Sequence, residues 1–362
     1  MTTEADLLRQ ELQGISRILL IRIRSLGDAI LTLPLIEALH EWRPELKQSI
    51  LIEAPHAAVF RCHPAVEETL ILQTPNSGQA GWTRPQAIAE LRKQRYPAVL
   101  NLHGGTTSML FTIASGAHLR VGQEAHRGSW LYNRRIPTPA SIWGLESLHT
   151  VENQLSLVRW LGLPVPSRPF MLHLNEPARM RVRQRLEDAG ITEYILIQPT
   201  ATLPTKQWDP SKFAQLGDWL AAHHHLPVIY TAAPHESAIL DVILRTARER
   251  HTYWSDLPLM ELFALIERCR LFLGCDSGPT HAAAALKKPI VVVWGSSNFQ
   301  AWHPWGTEYE AVGSELPCIP CPGHECKVFG EPRCIKEIPV SRVQDACAKI
   351  LSGNATAAND RR

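Results

Sequence analysis

Residues 271–295, LFLGCDSGPTHAAAALKKPIVVVWG, compress a buried strand, a glycine turn, an alanine-rich helix and a second buried strand into one stretch. Leu271–Leu273 read as the end of the first strand and Gly274–Pro279 as the turn. His281–Leu286 read as the helix and Pro289–Trp294 as the second strand, which together make a β-α-β unit. In an open α/β sheet a ligand sits beyond the carboxyl ends of the strands, where the next helix starts with unpaired N–H groups. Asp276, Ser277, Gly278 and Thr280 occupy that position. Asp276 or Ser277 can cap the helix, Gly278 lets a ligand approach the backbone, and the helix dipole suits a phosphate. His281 follows at once, beside the same ligand. The plainer alternative is that Asp276 only caps and His281 only packs.

The rest of the chain repeats this alternation. Ile15–Arg24 is a strand ending at Ser25-Leu26-Gly27-Asp28, and Ala29–Trp42 is an amphipathic helix, so Asp28 stands at the mouth of a sheet as either a helix cap or a catalytic carboxylate. The turn is not GxGxxG, so the dinucleotide fingerprint is missing. Strands follow at Ser49–Glu53, Glu68–Leu72, Ala98–Leu102 and Leu119–Gly122, the third of these ending in His103-Gly104-Gly105-Thr106. Proline, serine and glycine over Thr74–Pro85 mark a loop expected to be mobile. Gln123–Thr150 reads as irregular and basic: either a solvated loop or a contact for an anionic substrate. A helix at Val151–Leu161 and a proline-rich linker at Gly162–Arg168 close the first half. In the second half, strands at Tyr194–Gln198 and Pro227–Tyr230 precede the opening unit, and Lys206 lies in the loop between them. A chain of 362 residues suits two such domains. We expect 1–165 and 166–351, their carboxyl edges leaving a cleft, with a disordered tail at 352–362.

With 45% hydrophobic and 20% charged residues the chain is globular, and its net charge of +2 argues against nucleic acid as a partner. No apolar run approaches the roughly 20 residues that span a bilayer, and MTTEADLLRQELQG is no signal peptide. A cytoplasmic location is therefore expected, in which eight cysteines are more naturally thiols or metal ligands than a disulfide framework. Cys318, Cys321, Cys326 and Cys334, with His324 as a further ligand, leave a structural zinc, two disulfides and free thiols all open.

Four blocks, in order and spacing, carry a resemblance that covers Ile18–Leu351. They are Arg24-Ser25-Leu26-Gly27-Asp28 running into Leu31-Thr32-Leu33-Pro34, the Gly104 turn, Lys206-x-Trp208, and Asp276-Ser277-Gly278-Pro279-x-His281. With these the chain resembles glycosyltransferase family 9, the ADP-heptose:lipopolysaccharide heptosyltransferases, many of which also carry the cysteine-rich segment. The resemblance implies a GT-B fold, two Rossmann-like domains facing across a cleft. It implies an inverting, metal-independent transfer of a heptose from a nucleotide diphosphate to a lipid-linked core-oligosaccharide acceptor, with no cofactor required. Asp28 then matches the general base. Lys206 matches a phosphate ligand, and Asp276, Ser277, Gly278 and His281 match the donor site, to which Thr202 and Thr280 are added as further contacts. Gly27, His103, Gly104 and Thr107 become acceptor contacts of the amino-terminal domain. A lipid-linked acceptor places the enzyme peripherally at the inner face of the cytoplasmic membrane, aided by the basic residues between Arg127 and Arg135.

Three departures stand out. Thr106 and Thr107 replace a basic residue that many members carry, Ala232-Ala233 replaces a glycine pair, and Lys287 stands where a glycine is expected after the donor helix. A protein that binds a sugar nucleotide but has lost transfer is the competing reading.

Overall fold

The computed structural model describes residues 2–74, 80–166, 170–321 and 323–353. Parts of the expected loop at 74–85 and linker at 162–168, and all but two residues of the expected tail, lie outside them. The chain forms two compact units, Met1–His173 and Leu174–Arg362. The division falls beyond the expected 165/166 because Phe170–His173 stays with the first unit. There the Met171 N–H donates to Glu37 Oε1 at 3.1 Å, and the His173 ring meets His63 edge-on at 4.8 Å.

The first unit holds six parallel strands, β1 (Arg17–Ile21), β2 (Lys47–Glu53), β3 (Val66–Leu72), β4 (Ala98–Asn101), β5 (Leu119–Gln123) and β6 (Arg134–Ile136). Their order is β3-β2-β1-β4-β5-β6. The second unit repeats the plan with β7 (Ile195–Gln198), β8 (Val228–Thr231), β9 (Thr252–Trp254), β10 (Leu271–Cys275), β11 (Ile290–Val293) and β12 (Tyr309–Val312). From one edge it runs β9-β8-β7-β10-β11-β12, the same doubly wound order. In each sheet the order reverses beside the first strand of the unit, between β1 and β4 and between β7 and β10. Crevices at such reversals are where open α/β sheets bind ligands.

Helices on both faces explain the continuous apolar strands, because a parallel sheet is covered on both sides. Ile18–Ile21 and Ile290–Val293 are at most 1% exposed, and each such side chain contributes about 1.5–3 kcal/mol on burial. Trp208 also belongs to the core, its Nε1 donating to the Ile338 carbonyl at 3.0 Å.

Several expectations need correction. The helix read over Ala29–Trp42 is two helices, Leu26–Ile30 and Leu33–Trp42, separated at Leu31-Thr32 just ahead of Pro34. Proline fits the first turn of the second helix and not the interior of one long helix. The irregular stretch 123–150 contains β6, and β9 and β12 are further edge strands that the sequence did not reveal. The helix after β8 spans Ser237–Thr246 and ends six residues before β9 begins.

Candidate functional site

At the first reversal Asp28 is the third residue of the helix Leu26–Ile30. Its Oδ2 accepts from the Ser25 backbone N–H at 3.2 Å and from Ser25 Oγ at 2.9 Å, so it does cap the helix. Its Oδ1 faces Arg22 Nη1 at 3.3 Å. Arg22 is buried beyond the end of β1, its Nε donates to Thr32 Oγ1 at 3.2 Å, and that hydroxyl donates to the Asp28 carbonyl at 2.8 Å. Burial holds the guanidinium below its ordinary range, a shift that Asp28 offsets only in part. The two readings of Asp28 are thus compatible: the cap fixes the carboxylate, whose side chain remains 24% exposed.

Asn101 builds the turn after β4, where its Oδ1 accepts the N–H groups of His103 at 3.0 Å and Gly104 at 3.1 Å. Gly104 has φ +73°, and a Cβ on it would come within 2.6 Å of the His126 ring. A glycine is needed there on both counts. His126 Nδ1 lies 3.0 Å from the Tyr132 hydroxyl, so part of the basic loop folds over the turn. Burial lowers the His56 imidazole to about 4 despite Asp28, and lowers His126 to about 4 with help from Arg22 and His103. His103 is lowered by burial and by Arg22. Three neutral imidazoles at neutral pH therefore surround the Arg22–Asp28 pair. Gly27 is buried within its helix, and Thr107 is half-buried in the first turn of the helix Thr106–Ala114.

At the second reversal the Asp276 carboxylate is the hub. Lys206 Nζ donates to its Oδ2 at 2.7 Å, Ser297 Oγ donates to the same oxygen, and His281 Nε2 stands 3.9 Å from Oδ1. Asp276 and His281 are buried, whereas the Lys206 side chain keeps 23% of its exposure. Ser277 is the N-cap residue of the helix Gly278–Ala285, but its hydroxyl donates to Gln198 Oε1 at 3.3 Å and does not cap. The amide of Gln198 in turn donates to Thr200, whose hydroxyl reaches Glu236 at 2.8 Å.

Two expected contacts are placed differently. The hydroxyl of Thr280, a buried residue, donates to the Cys275 carbonyl at 2.6 Å, and its N–H to the Ser277 carbonyl at 3.1 Å. Because Pro279 has no N–H, the run Gly278–Thr280 offers only the Gly278 amide to a ligand. Thr202 is exposed, while Thr200 and Thr205 of that loop are buried, Thr205 being bonded to Ser296 Oγ and the Gly323 carbonyl. Arg22, Asn101, Ser297 and Gln198 were not singled out from sequence; each is a polar residue in or just after an apolar strand or turn, and that is the signal that marks them.

Cys318, Cys321, Cys326 and Cys334 line one pocket of about 440 Å³ with His324 and Phe329, and none is in a disulfide. Burial pushes the Cys334 thiol up, and Cys321, Cys318 and Cys326 add to the shift. Thiolates and an imidazole are the donor types of a zinc site. A second group of ligand types, Glu37, His63 and His173, has its ligand atoms within 4.8 Å of one another. It does not suit a metal, because His63 Nδ1 accepts the Ala65 N–H at 3.2 Å, which puts the ring proton on Nε2, toward Glu37.

The model for glycosyltransferase family 9 (heptosyltransferase) matches residues 85–330. Lipopolysaccharide heptosyltransferase 3 of Escherichia coli K12 is 28% identical over 287 residues, 77% of this chain and 82% of that protein. Among solved structures, a family 9 glycosyltransferase from Veillonella parvula superposes with a TM-score of 0.79 at 17% identity, covering 93% of this chain and 98% of its own. The E. coli ADP-heptose lipopolysaccharide heptosyltransferase II does so at 0.75 and 19%, covering 94% and 100%. These likenesses show the GT-B type of fold.

Proposed function

The chain belongs to glycosyltransferase family 9, the heptosyltransferases, and on that premise we propose that it moves a heptose from ADP-heptose to a hydroxyl of a lipopolysaccharide core acceptor, inverting the anomeric centre without a metal. The relatives' names supply the donor and acceptor classes. The observation that carries the reading to this chain is the Lys206 ammonium, held 2.7 Å from a buried carboxylate beside the start of the helix Gly278–Ala285. Asp276, Ser297 and His281 fix that cation, and the Gly278 amide adds a neutral donor. Both meet the charge that builds on a departing diphosphate.

In the first unit Asp28 takes the proton from the acceptor oxygen as that oxygen bonds to the anomeric carbon. The bond from that carbon to the diphosphate breaks, and ADP leaves with the electron pair. Arg22 and Ser25 hold the carboxylate in place. Gly27, His103, Gly104 and Thr107 line the acceptor side, and the threonines at 106 and 107 point to an acceptor unlike the best-known inner-core one. The working location is the inner face of the cytoplasmic membrane, where a lipid-linked acceptor resides.

Calorimetric titration with ADP, UDP, GDP and adenosine, without divalent metal, tests the donor site. ADP should bind preferentially, and Lys206→Ala should weaken ADP far more than adenosine; equal losses would count against a phosphate contact. Transfer from ADP-heptose to core glycolipid should persist in EDTA, and loss of turnover on chelation would overturn metal independence.

A further inference from the structure

The cysteine-rich segment takes no part in the proposed transfer, yet its backbone is bonded to the turn that carries Lys206. Lys206 closes the three-residue turn Pro204–Lys206, and the residue before it, Thr205, is 2% exposed and lines the cysteine pocket. Thr205 Oγ1 donates to the Gly323 carbonyl inside the segment. Its single proton is thereby committed, so the Ser296 hydroxyl, fully buried after β11 and 2.9 Å away, is the donor in the second bond. The Cys321 N–H donates to the Ser296 carbonyl at 2.9 Å, and the Ser296 N–H to the Thr205 carbonyl at 3.4 Å. Turn, loop and segment are thus tied together at one buried pair of hydroxyls.

Two glycines mark how closely these pieces meet. Gly323 has φ +87°, and a Cβ on it would stand 3.0 Å from Leu203 Cδ1. A Cβ on Gly295 would run into the Thr205 carbonyl. The neighbour of Ser296 completes the link: Ser297 Oγ donates to Asp276 Oδ2, the oxygen that Lys206 Nζ holds at 2.7 Å. One dipeptide, Ser296-Ser297, therefore holds the backbone behind the cation on one side and the carboxylate partner of the cation on the other. Lysine has a flexible four-carbon stem, and a three-residue turn alone does little to fix where that stem starts.

We propose that Thr205 and Ser296 are positioning residues for the donor diphosphate, acting through Lys206, and that the cysteine-rich segment is the clamp that holds them. The inference rests on the reading of Lys206 as a phosphate ligand. A buried hydroxyl that both donates and accepts fixes its two partners at once, and leaving either partner unbonded is costly. Without that hydroxyl the turn can shift, and a displacement of about 1 Å is enough to spoil a contact aimed at a reacting group. A purely structural knot would instead stabilise the fold and leave the choice between diphosphate and nucleoside untouched.

The experiment is titration of the full chain with ADP and with adenosine, for wild type, Thr205→Val, Thr205→Ser, Gly323→Ala, Lys206→Ala and the double variant T205V/K206A, with thermal midpoints measured alongside. Thr205→Val keeps the shape of the side chain and removes both bonds; it should weaken ADP about five- to tenfold while adenosine changes less than about twofold. Thr205→Ser, which keeps the hydroxyl, should stay within about twofold of wild type for both ligands. Gly323→Ala displaces the accepting carbonyl from the segment's side and should weaken ADP by about threefold. In the Lys206→Ala background Thr205→Val should have no further effect on ADP, because the cation it positions is gone. Equal losses for ADP and adenosine, a midpoint that falls with ADP selectivity intact, or full additivity with Lys206→Ala would overturn the proposal. Wild type that binds no ADP would sink the donor reading and this proposal together, whereas ADP binding that Thr205→Val leaves unchanged would sink this proposal alone.

Discussion

The two sheet reversals hold the same kind of charged pair in opposite ways. In the first, the cation is buried and the carboxylate is 24% exposed: Arg22 lies beneath and Asp28 looks outward from six residues away. In the second, the carboxylate is 4% exposed and the cation 23%: Asp276 lies beneath, and Lys206 is brought to it across 70 residues of chain. A carboxylate that faces solvent over a fixed cation can accept a proton from an incoming hydroxyl. A cation that faces solvent over a fixed carboxylate can receive an anion. The doubly wound plan has been used twice with the polarity exchanged.

The largest expected effect breaks the first member of this comparison. Asp28→Asn keeps an oxygen for the Ser25 cap but cannot take a proton. Transfer should fall by at least about a hundredfold, while calorimetry finds ADP affinity unchanged. Near-wild-type turnover would remove Asp28 from the chemistry.

Breaking the second member should act on stability. Asp276→Ala leaves Lys206 without its carboxylate partner and Ser297 without its acceptor. Removing one partner of a buried pair costs about 3–5 kcal/mol, and the partial exposure of Lys206 puts this case near about 2–3 kcal/mol. Urea unfolding would measure it. The double variant with Lys206→Ala should cost less than the sum of the two singles, and strict additivity would mean that the pair is not coupled.

The imidazoles of the first reversal sharpen the comparison through pH. His56 and His126 are lowered to about 4 in the folded chain, against about 6.5 unfolded. For a histidine whose folded value is depressed, the unfolded chain binds the extra proton first. The stabilisation is therefore complete above about pH 6.5 and is lost as pH falls toward about 4. After allowing for solvent, about 1–2 kcal/mol per histidine should disappear over that window. The H56Q/H126Q variant should flatten the profile of urea midpoint against pH, and an unchanged slope would reject the assignment.

Much of this organisation was legible in the sequence where the pattern was long and apolar. The β10–β11 unit, the strand before Asp28 and the division into two α/β halves all follow from buried runs punctuated by glycine. The three- and four-residue edge strands β6, β9 and β12 did not show, because so short a strand paired on one side carries no period. The Lys206–Asp276 pair could be placed at one sheet edge but not joined, since only the β7–β10 adjacency brings 70 residues of separation down to 2.7 Å. The bond of Thr280 could not be read from sequence for a local reason: a hydroxyl in a first helical turn can bond backward to the strand, as this one does to the Cys275 carbonyl, as readily as outward to a ligand.

The smallest effect concerns the end of the donor helix. Lys287 has φ +58°, which favours glycine, and it follows directly on the helix Gly278–Ala285 and Leu286. A residue with a Cβ in this left-handed conformation costs roughly 1–2 kcal/mol relative to glycine. Against that, Lys287 Nζ donates to the Gly306 carbonyl at 3.2 Å on an exposed surface, a bond contributing about 0.5–1 kcal/mol, and a glycine loses more entropy on folding. The balance favours Lys287→Gly by about 0.5 kcal/mol, seen as a slightly higher urea midpoint with ADP affinity unchanged. A lower midpoint would mean that the lysine side chain contributes more to the closing turn than its backbone strain removes, and that this departure from the family pattern is stabilising in its own right.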